Sequence, residues 1–276
     1  MMRRVLVASA LSLALVGAAA PAQNPAAQNA AAPQDAASRA SAFLASGYLG
    51  PQKVPDSLLL LPPPPAQGTV AQIRDEEAAG QAVALRGSPR WEQARIDADL
   101  FTPNATDVFS CAAGFSIGDA TTPRLNALLR KMGPDLALGT YATKRKFQRR
   151  RPFMVNGEPT CTPQDEAMLR QDGSYPSGHS AIGYGWGLVL AEVVPDRASQ
   201  LVARGRAFGE SRRICNVHWL SDVEEGRIAA SAVMARLHAE PAFQADLKRA
   251  KAEVAKVRRK LPAPDCAREN AALAQS

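Results

Sequence analysis

The run Ser180–Val194, SAIGYGWGLVLAEVV, constrains the fold more than any other stretch of this chain. It is apolar on nearly every side, and a helix without a polar face has to be covered all round by other elements. Gly183, Gly185 and Gly187 would let neighbouring backbones come close, at a cost in helix propensity that packing must offset. The run falls short of the roughly 20 uninterrupted apolar residues that a bilayer helix needs, and no later segment supplies them, so no stable membrane insertion is expected. With 276 residues, 46% of them hydrophobic, the chain can build a sizeable core around this helix.

The covering elements also read as helices. TVAQIRDEEAAGQAVAL (69–85), SPRWEQARIDADLF (88–101) and TPRLNALLRKM (122–132) each open on Thr or Ser, and the last two carry Pro inside the first turn. Leu125, Leu128, Leu129 and Met132 fall on one face of the third. In SDVEEGRIAASAVMARLH (221–238), Ser221 followed by Glu224 forms a capping box. Val223, Gly226, Ala230, Val233 and Leu237 make the buried stripe of that helix. PAFQADLKRAKAEVAKVRRK (241–260) is amphipathic, with basic residues that read as a solvated face rather than a surface for a nucleic acid polymer. LLLLPPPPAQG (58–68) reads as an extended strap lying across a helical body, or as a simple spacer. Strand-like alternation is hardly visible and no repeat stands out. The expected fold is all-α, a single-domain helical bundle with a central buried helix.

The ends divide differently. MMRRVLVASALSLALVGAAAPAQN places Arg3 and Arg4 before an apolar stretch and an Ala20-Pro21-Ala22 cleavage pattern, so residues 1–22 are expected to be a signal peptide directing the chain to the periplasm. Residues 23–41 read as a disordered Ala/Pro/Gln-rich linker, 42–262 as the helical domain and 263–276 as a C-terminal tail. The formal charge of +7 falls to +5 without Arg3 and Arg4, which suits anionic substrates and an ordinary solvated surface equally. Cys111, Cys161, Cys215 and Cys266 are an even number in an oxidising compartment and lack zinc-finger spacing, which favours disulfides over metal ligation. Three pairings remain open, as do free buried thiols.

Three segments carry chemistry. GSYPSGHS (173–180) puts His179 at the N-terminal edge of the central helix, where unpaired backbone N–H groups and the positive end of the dipole make an anion site. Ser177 adds a hydroxyl donor, and Gly178 lets the backbone approach a ligand. In KRKFQRRRPF, Lys144 and Arg151 lie seven apart, so on one continuous helix both project from the same side before Pro152. An arginine fork and a lysine point charge together can hold a tetrahedral oxyanion. In SRRICNVHWLSD, Arg212 precedes His218, and Asp222 follows within reach of the imidazole. An aspartate that accepts from one ring nitrogen leaves the other unprotonated, as a histidine nucleophile requires. Each segment also has a plainer reading, as a structural cap, a basic surface patch and a first-turn acid respectively. The third histidine, His238, matches no motif.

Lys144, six residues, Arg151-Pro152; then Pro176-Ser177-Gly178-His179; then Ser211-Arg212, five residues, His218, three residues, Asp222: this order is similar to the three-part signature of the type 2 phosphatidic acid phosphatase superfamily. Within it, GSYPSGH, SPRWEQARIDADL, FSCAAGF, ATKRKFQRRRPF and VHWLSDVEEGR most closely resemble the secreted bacterial class A nonspecific acid phosphatases, over roughly residues 47–256. Ser180 stands where that subgroup usually has threonine. The resemblance implies a metal-free, cofactor-free phosphomonoesterase acting on small phosphomonoesters through a phosphohistidine. It makes His218 the nucleophile, Asp222 its orienting partner and His179 the general acid, with Lys144, Arg151, Ser177, Gly178 and Arg212 holding the phosphoryl oxygens. A vanadate-dependent haloperoxidase, a non-catalytic phosphate-binding protein and a lipid phosphatase are the alternatives, and homo-oligomerisation is left open.

Overall fold

The chain is seen in a computed structural model that describes residues 41–275. The signal peptide and all but the last residue of the linker lie outside the described residues. The longer helices are α1 (Val70–Val83), α2 (Pro89–Ile96), α3 (Pro123–Leu138), α4 (Tyr141–Phe147), α5 (Gly178–Val193), α6 (Ala198–Ile214), α7 (Leu220–His238), α8 (Pro241–Val257) and α9 (Ala267–Leu273). There is no strand among the described residues, so the fold is all-α.

Helix α5 is the central element. Ala181, Ile182, Trp186, Val189 and Leu190 are all 2% exposed or less, and they meet the α3 face of Leu125, Leu128, Leu129 and Met132 in one continuous core. The glycines of α5 divide the work. A Cβ on Gly187 would sit 2.8 Å from the Leu201 carbonyl oxygen, and one on Gly205 would sit 2.7 Å from that of Gly183, so α5 and α6 touch backbone to backbone. At Gly185 the neighbour is instead the Leu136 side chain, and at Gly183 it is the ring of Phe208. No helix among the described residues is long and apolar enough to cross a membrane.

Several boundaries differ from the sequence expectation. Helix α7 begins at Leu220, not after Ser221, because the Asp222 carboxylate accepts the Trp219 N–H at 2.9 Å and closes the first turn from the N3 position. Ser221 points to Asp75 instead, donating its N–H at 2.8 Å and its hydroxyl at 2.6 Å. The leucine–proline stretch opens as one helical turn, Ser57–Leu60, and is extended only from Leu61. It does lie across the body: Tyr175 Oη donates to the Pro62 carbonyl at 2.7 Å, and Ser57 Oγ accepts the Thr143 N–H at 3.1 Å.

The cysteines pair as Cys111–Cys266 and Cys161–Cys215, with none free among the described residues. The first ties the C-terminal segment, including α9, to the turn Ser110–Ala113. The second links residue 161 to the loop between α6 and α7. Replacing both Cys161 and Cys215 by serine is expected to remove about 2–5 kcal/mol of stability, read from urea unfolding of the two proteins.

Candidate active site

The loop that leaves α6 presents His218. Asn216 turns the chain with φ 62°, a left-handed conformation that asparagine tolerates, and the Val217 and His218 N–H groups both return to the Arg212 carbonyl. His218 Nδ1 lies 3.2 Å from Asp222 Oδ2, one helical turn further on, and Nε2 lies 3.1 Å from Arg151 Nη1. With Nδ1–H donating to the carboxylate, the lone pair sits on Nε2. His218 is buried among Arg151, Lys144 and Arg212. Desolvation first and those cations second hold its imidazole well below the ordinary histidine range, which favours the neutral ring.

Lys144 and Arg151 meet, although not by helical periodicity. Helix α4 stops at Phe147 because Gln148 adopts φ 44°, and the chain then runs without regular structure to Arg151. The two cations converge from helix and loop on Asp172, each 3.2 Å from its Oδ2. Arg151 is fixed further by the carbonyls of Leu169, Asp172 and Val217. Arg212 arrives from the last turn of α6. It is 2% exposed, and its Nε and Nη1 have no hydrogen-bond partner among the described residues. Burial, with the neighbouring charge of Arg151 second for Arg212, pushes Lys144 down to about 8 and Arg212 down to about 10. Lys144 and Arg151 share the partly exposed Asp172, whereas Arg212 keeps two buried nitrogens without a partner among the described residues, and a guanidinium in that setting is a site for an anion.

Ser177 caps α5, its hydroxyl accepting the Ser180 N–H at 3.2 Å, while its own N–H donates to the Asp222 carbonyl at 2.9 Å. The start of the helix carrying His179 is thus joined directly to the helix carrying Asp222. Gly226 makes that approach possible, since a Cβ there would lie 2.5 Å from the Ser177 carbonyl oxygen. At Gly178 a Cβ would meet only Thr140 Oγ1, at an ordinary 3.7 Å, so packing does not demand glycine there. Gly178 and His179 are half-buried while Ser177 and Ser180 are enclosed, which leaves the helix start as an open face. The His179 ring lies nearly parallel to Phe208, and its Nε2 is 3.0 Å from the Ala98 carbonyl oxygen. Desolvation, then Arg212, keeps this imidazole too well below its ordinary range.

Sequence reasoning missed three residues. Arg149 joins Asp222 to Asp75: Nη1 donates to Asp222 Oδ1 at 2.7 Å, Nη2 donates to Asp75 Oδ2 at 2.7 Å, and the guanidinium lies over the Trp219 ring. Asp75 arrives from α1, and Asp172 immediately precedes the GSYPSGH segment. Nothing in the triplet Arg149-Arg150-Arg151 marks which arginine turns inward. His238 is held by the Met234 carbonyl and the Glu192 carboxylate, far along α7 from Asp222.

The PAP2 superfamily model matches residues 131–241, which contain all eight candidate residues. A non-specific acid phosphatase of Providencia stuartii is 42% identical over 213 residues, covering 77% of this chain and 86% of the relative. One of Salmonella typhimurium is 41% identical over 208 residues, covering 74% and 82%, and an acid phosphatase of Zymomonas mobilis is 39% identical over 210 residues, covering 76% and 80%. The chain therefore belongs to the class A nonspecific acid phosphatases of the PAP2 superfamily.

Proposed function

We propose that the protein is an acid phosphatase that hydrolyses phosphomonoesters of broad specificity through a phosphohistidine. The observation that carries this reading is the buried cluster of Lys144, Arg151 and Arg212 facing the neutral Nε2 of His218. Phosphoryl transfer asks a protein mainly for positioning and for stabilisation of equatorial charge, with one nucleophile and one acid. His218 Nε2 attacks phosphorus, forming the P–N bond as the ester P–O bond breaks, and His179 gives a proton to the departing alkoxide. Water then attacks the phosphohistidine, losing its proton to His179, and the P–N bond breaks to release phosphate and neutral His218. Asp222 holds the imidazole and balances its charge in the intermediate. The cations, the Ser177 hydroxyl and the backbone at Gly178 hold the three equatorial oxygens. A bound phosphoryl dianion raises His179 into its charged form by opposing Arg212, and the depressed His218 remains a nucleophile in acid. The leader at residues 1–22 would deliver the enzyme to the periplasm.

The test is a panel of aryl, alkyl and nucleoside monophosphates assayed across pH, with and without chelator. The expected result is turnover of all classes on the acidic side, unchanged by the chelator. Activity restored only by added metal, or vanadate-dependent oxidation of bromide in place of hydrolysis, would overturn the reading. Inorganic phosphate at about 100 times its Kd should raise Tm by roughly 5–10 °C. Arg212→Met should lose most of that rise.

A further inference from the structure

The proposed acid, His179, is aimed by a carbonyl that belongs to a buried ionic latch. Its Nε2 faces Ala98 O at 3.0 Å, and Ala98 is the residue after Asp97. Asp97 is fully buried and gripped from three sides. Arg204 donates Nη2 to Oδ1 at 2.6 Å and Nη1 to Oδ2 at 3.2 Å, Ser211 Oγ donates to Oδ2 at 2.6 Å, and Gln93 Nε2 donates to Oδ1 at 2.9 Å. Arg204 in turn donates Nε to Glu269 Oε1 at 2.8 Å and to the Val108 carbonyl at 3.0 Å. Glu269 lies on α9, three residues after Cys266, whose disulfide to Cys111 fastens that helix to the body. Arg90 adds a hydrogen bond to Ser211 Oγ at 3.0 Å, and Ser211 directly precedes Arg212. One carboxylate, Asp97, therefore fixes both the carbonyl that meets His179 and the turn of α6 that presents Arg212.

We propose that the latch Asp97–Arg204–Glu269, closed by the C-terminal helix, is a positioning device for leaving-group protonation. This rests on the reading of His179 as the general acid. A carbonyl accepts only, so Ala98 O requires the proton of the neutral ring to sit on Nε2. The second proton is then carried on Nδ1, and that is the one given to the alkoxide. Loosening the latch lets the Ala98 carbonyl drift, so the ring loses its fixed tautomer and orientation. The turn that presents Arg212 keeps the bonds of Ser211 to Arg90 and to the Ala207 carbonyl, and the nucleophile has a separate support in Asp222 and Arg149, so the groups that hold and attack the phosphoryl are spared. The penalty consequently falls on poor leaving groups, which depend on the acid, and hardly on p-nitrophenolate, which departs without a proton.

The experiment compares kcat/KM for p-nitrophenyl phosphate and for a primary alkyl phosphate such as glycerol phosphate in wild type, Glu269→Ala, Glu269→Gln and His179→Ala, each checked for folding by circular dichroism. General acid catalysis contributes about 10²–10⁴-fold, so partial misplacement in Glu269→Ala is expected to cost roughly tenfold with the alkyl ester and under twofold with the aryl ester. Glu269→Gln, which keeps an oxygen for Arg204 Nε, should restore the wild-type ratio. The double variant Cys111→Ser/Cys266→Ser, which frees α9 without replacing any latch residue, should move the ratio the same way as Glu269→Ala. Equal losses on both esters, or no loss in folded Glu269→Ala, would overturn the latch. His179→Ala separates the two ideas: if it penalises the alkyl ester selectively while Glu269→Ala does not, the latch fails and the acid stands. If His179→Ala shows no selectivity, the assignment of the acid fails, and the latch proposal with it.

Discussion

Replacing His218 with alanine is expected to lower kcat/KM for p-nitrophenyl phosphate by roughly 10⁴-fold or more and to leave a folded protein. The loss is large because no other group in the cluster can take the phosphoryl. Arg151 and Arg212 are cations, and Asp222 is fully buried and held by the Trp219 N–H and by Arg149. Folding survives because each neighbour of the imidazole keeps other partners: Arg151 retains three carbonyls and Asp172, and Asp222 retains its cap and its ion pair. The cost in stability should stay at about 0.5–3 kcal/mol, as is typical of single substitutions. Circular dichroism and thermal unfolding check the fold, and initial rates check the activity. Wild-type turnover in this variant would remove the nucleophile from the account.

Arg149→Ala is expected to have the largest effect on stability. Arg149 links two carboxylates, Asp222 and Asp75, that are 0% and 1% exposed, so its removal takes the hydrogen-bonded cation from both. Breaking a buried pair in this way costs about 3–5 kcal/mol, or roughly 6–20 °C in Tm for a domain of this size. Burial already raises the Asp222 carboxyl above the ordinary 3.8, with Arg149 the largest opposing influence, and the variant raises it further. A raised carboxyl stabilises the fold below its unfolded-state value and loses that contribution as pH rises through its folded value. The deficit of Arg149→Ala should therefore be smallest in acid and grow toward neutrality. Parallel Tm–pH curves for wild type and variant would contradict this. Arg149→Lys should recover part of the loss and no more, because an ammonium cannot reproduce a fork that reaches Asp75, Asp222 and Ser221 together.

The sequence made the central helix, the α3 face and the cap at Ser177 legible, because each rests on local physics: apolar periodicity, or a hydroxyl one turn from an unpaired N–H. His218 and Asp222 were legible for the same reason, being four residues apart across a helix start. Arg149 was hidden because a left-handed residue, Gln148, decides which of three consecutive arginines turns inward, and its glutamine carries no sign of it. Asp75 was hidden because its partners lie more than 70 residues away in sequence. The capping box at Ser221 failed because two caps competed for one helix start, and the Asp222 carboxylate, already required by His218 and Arg149, satisfied the Trp219 N–H first. The long C-terminal reach of Glu269 to Arg204 had no local signature at all, and residues 263–276 read as a tail until the Cys111–Cys266 bond and α9 are seen.

The most direct measurement is the stereochemical course at phosphorus during hydrolysis of an isotopically chiral phosphorothioate ester. Two successive in-line displacements, first by His218 Nε2 and then by water, predict net retention of configuration. Net inversion would mean that water attacks the ester in a single step, and the phosphohistidine would have to be abandoned.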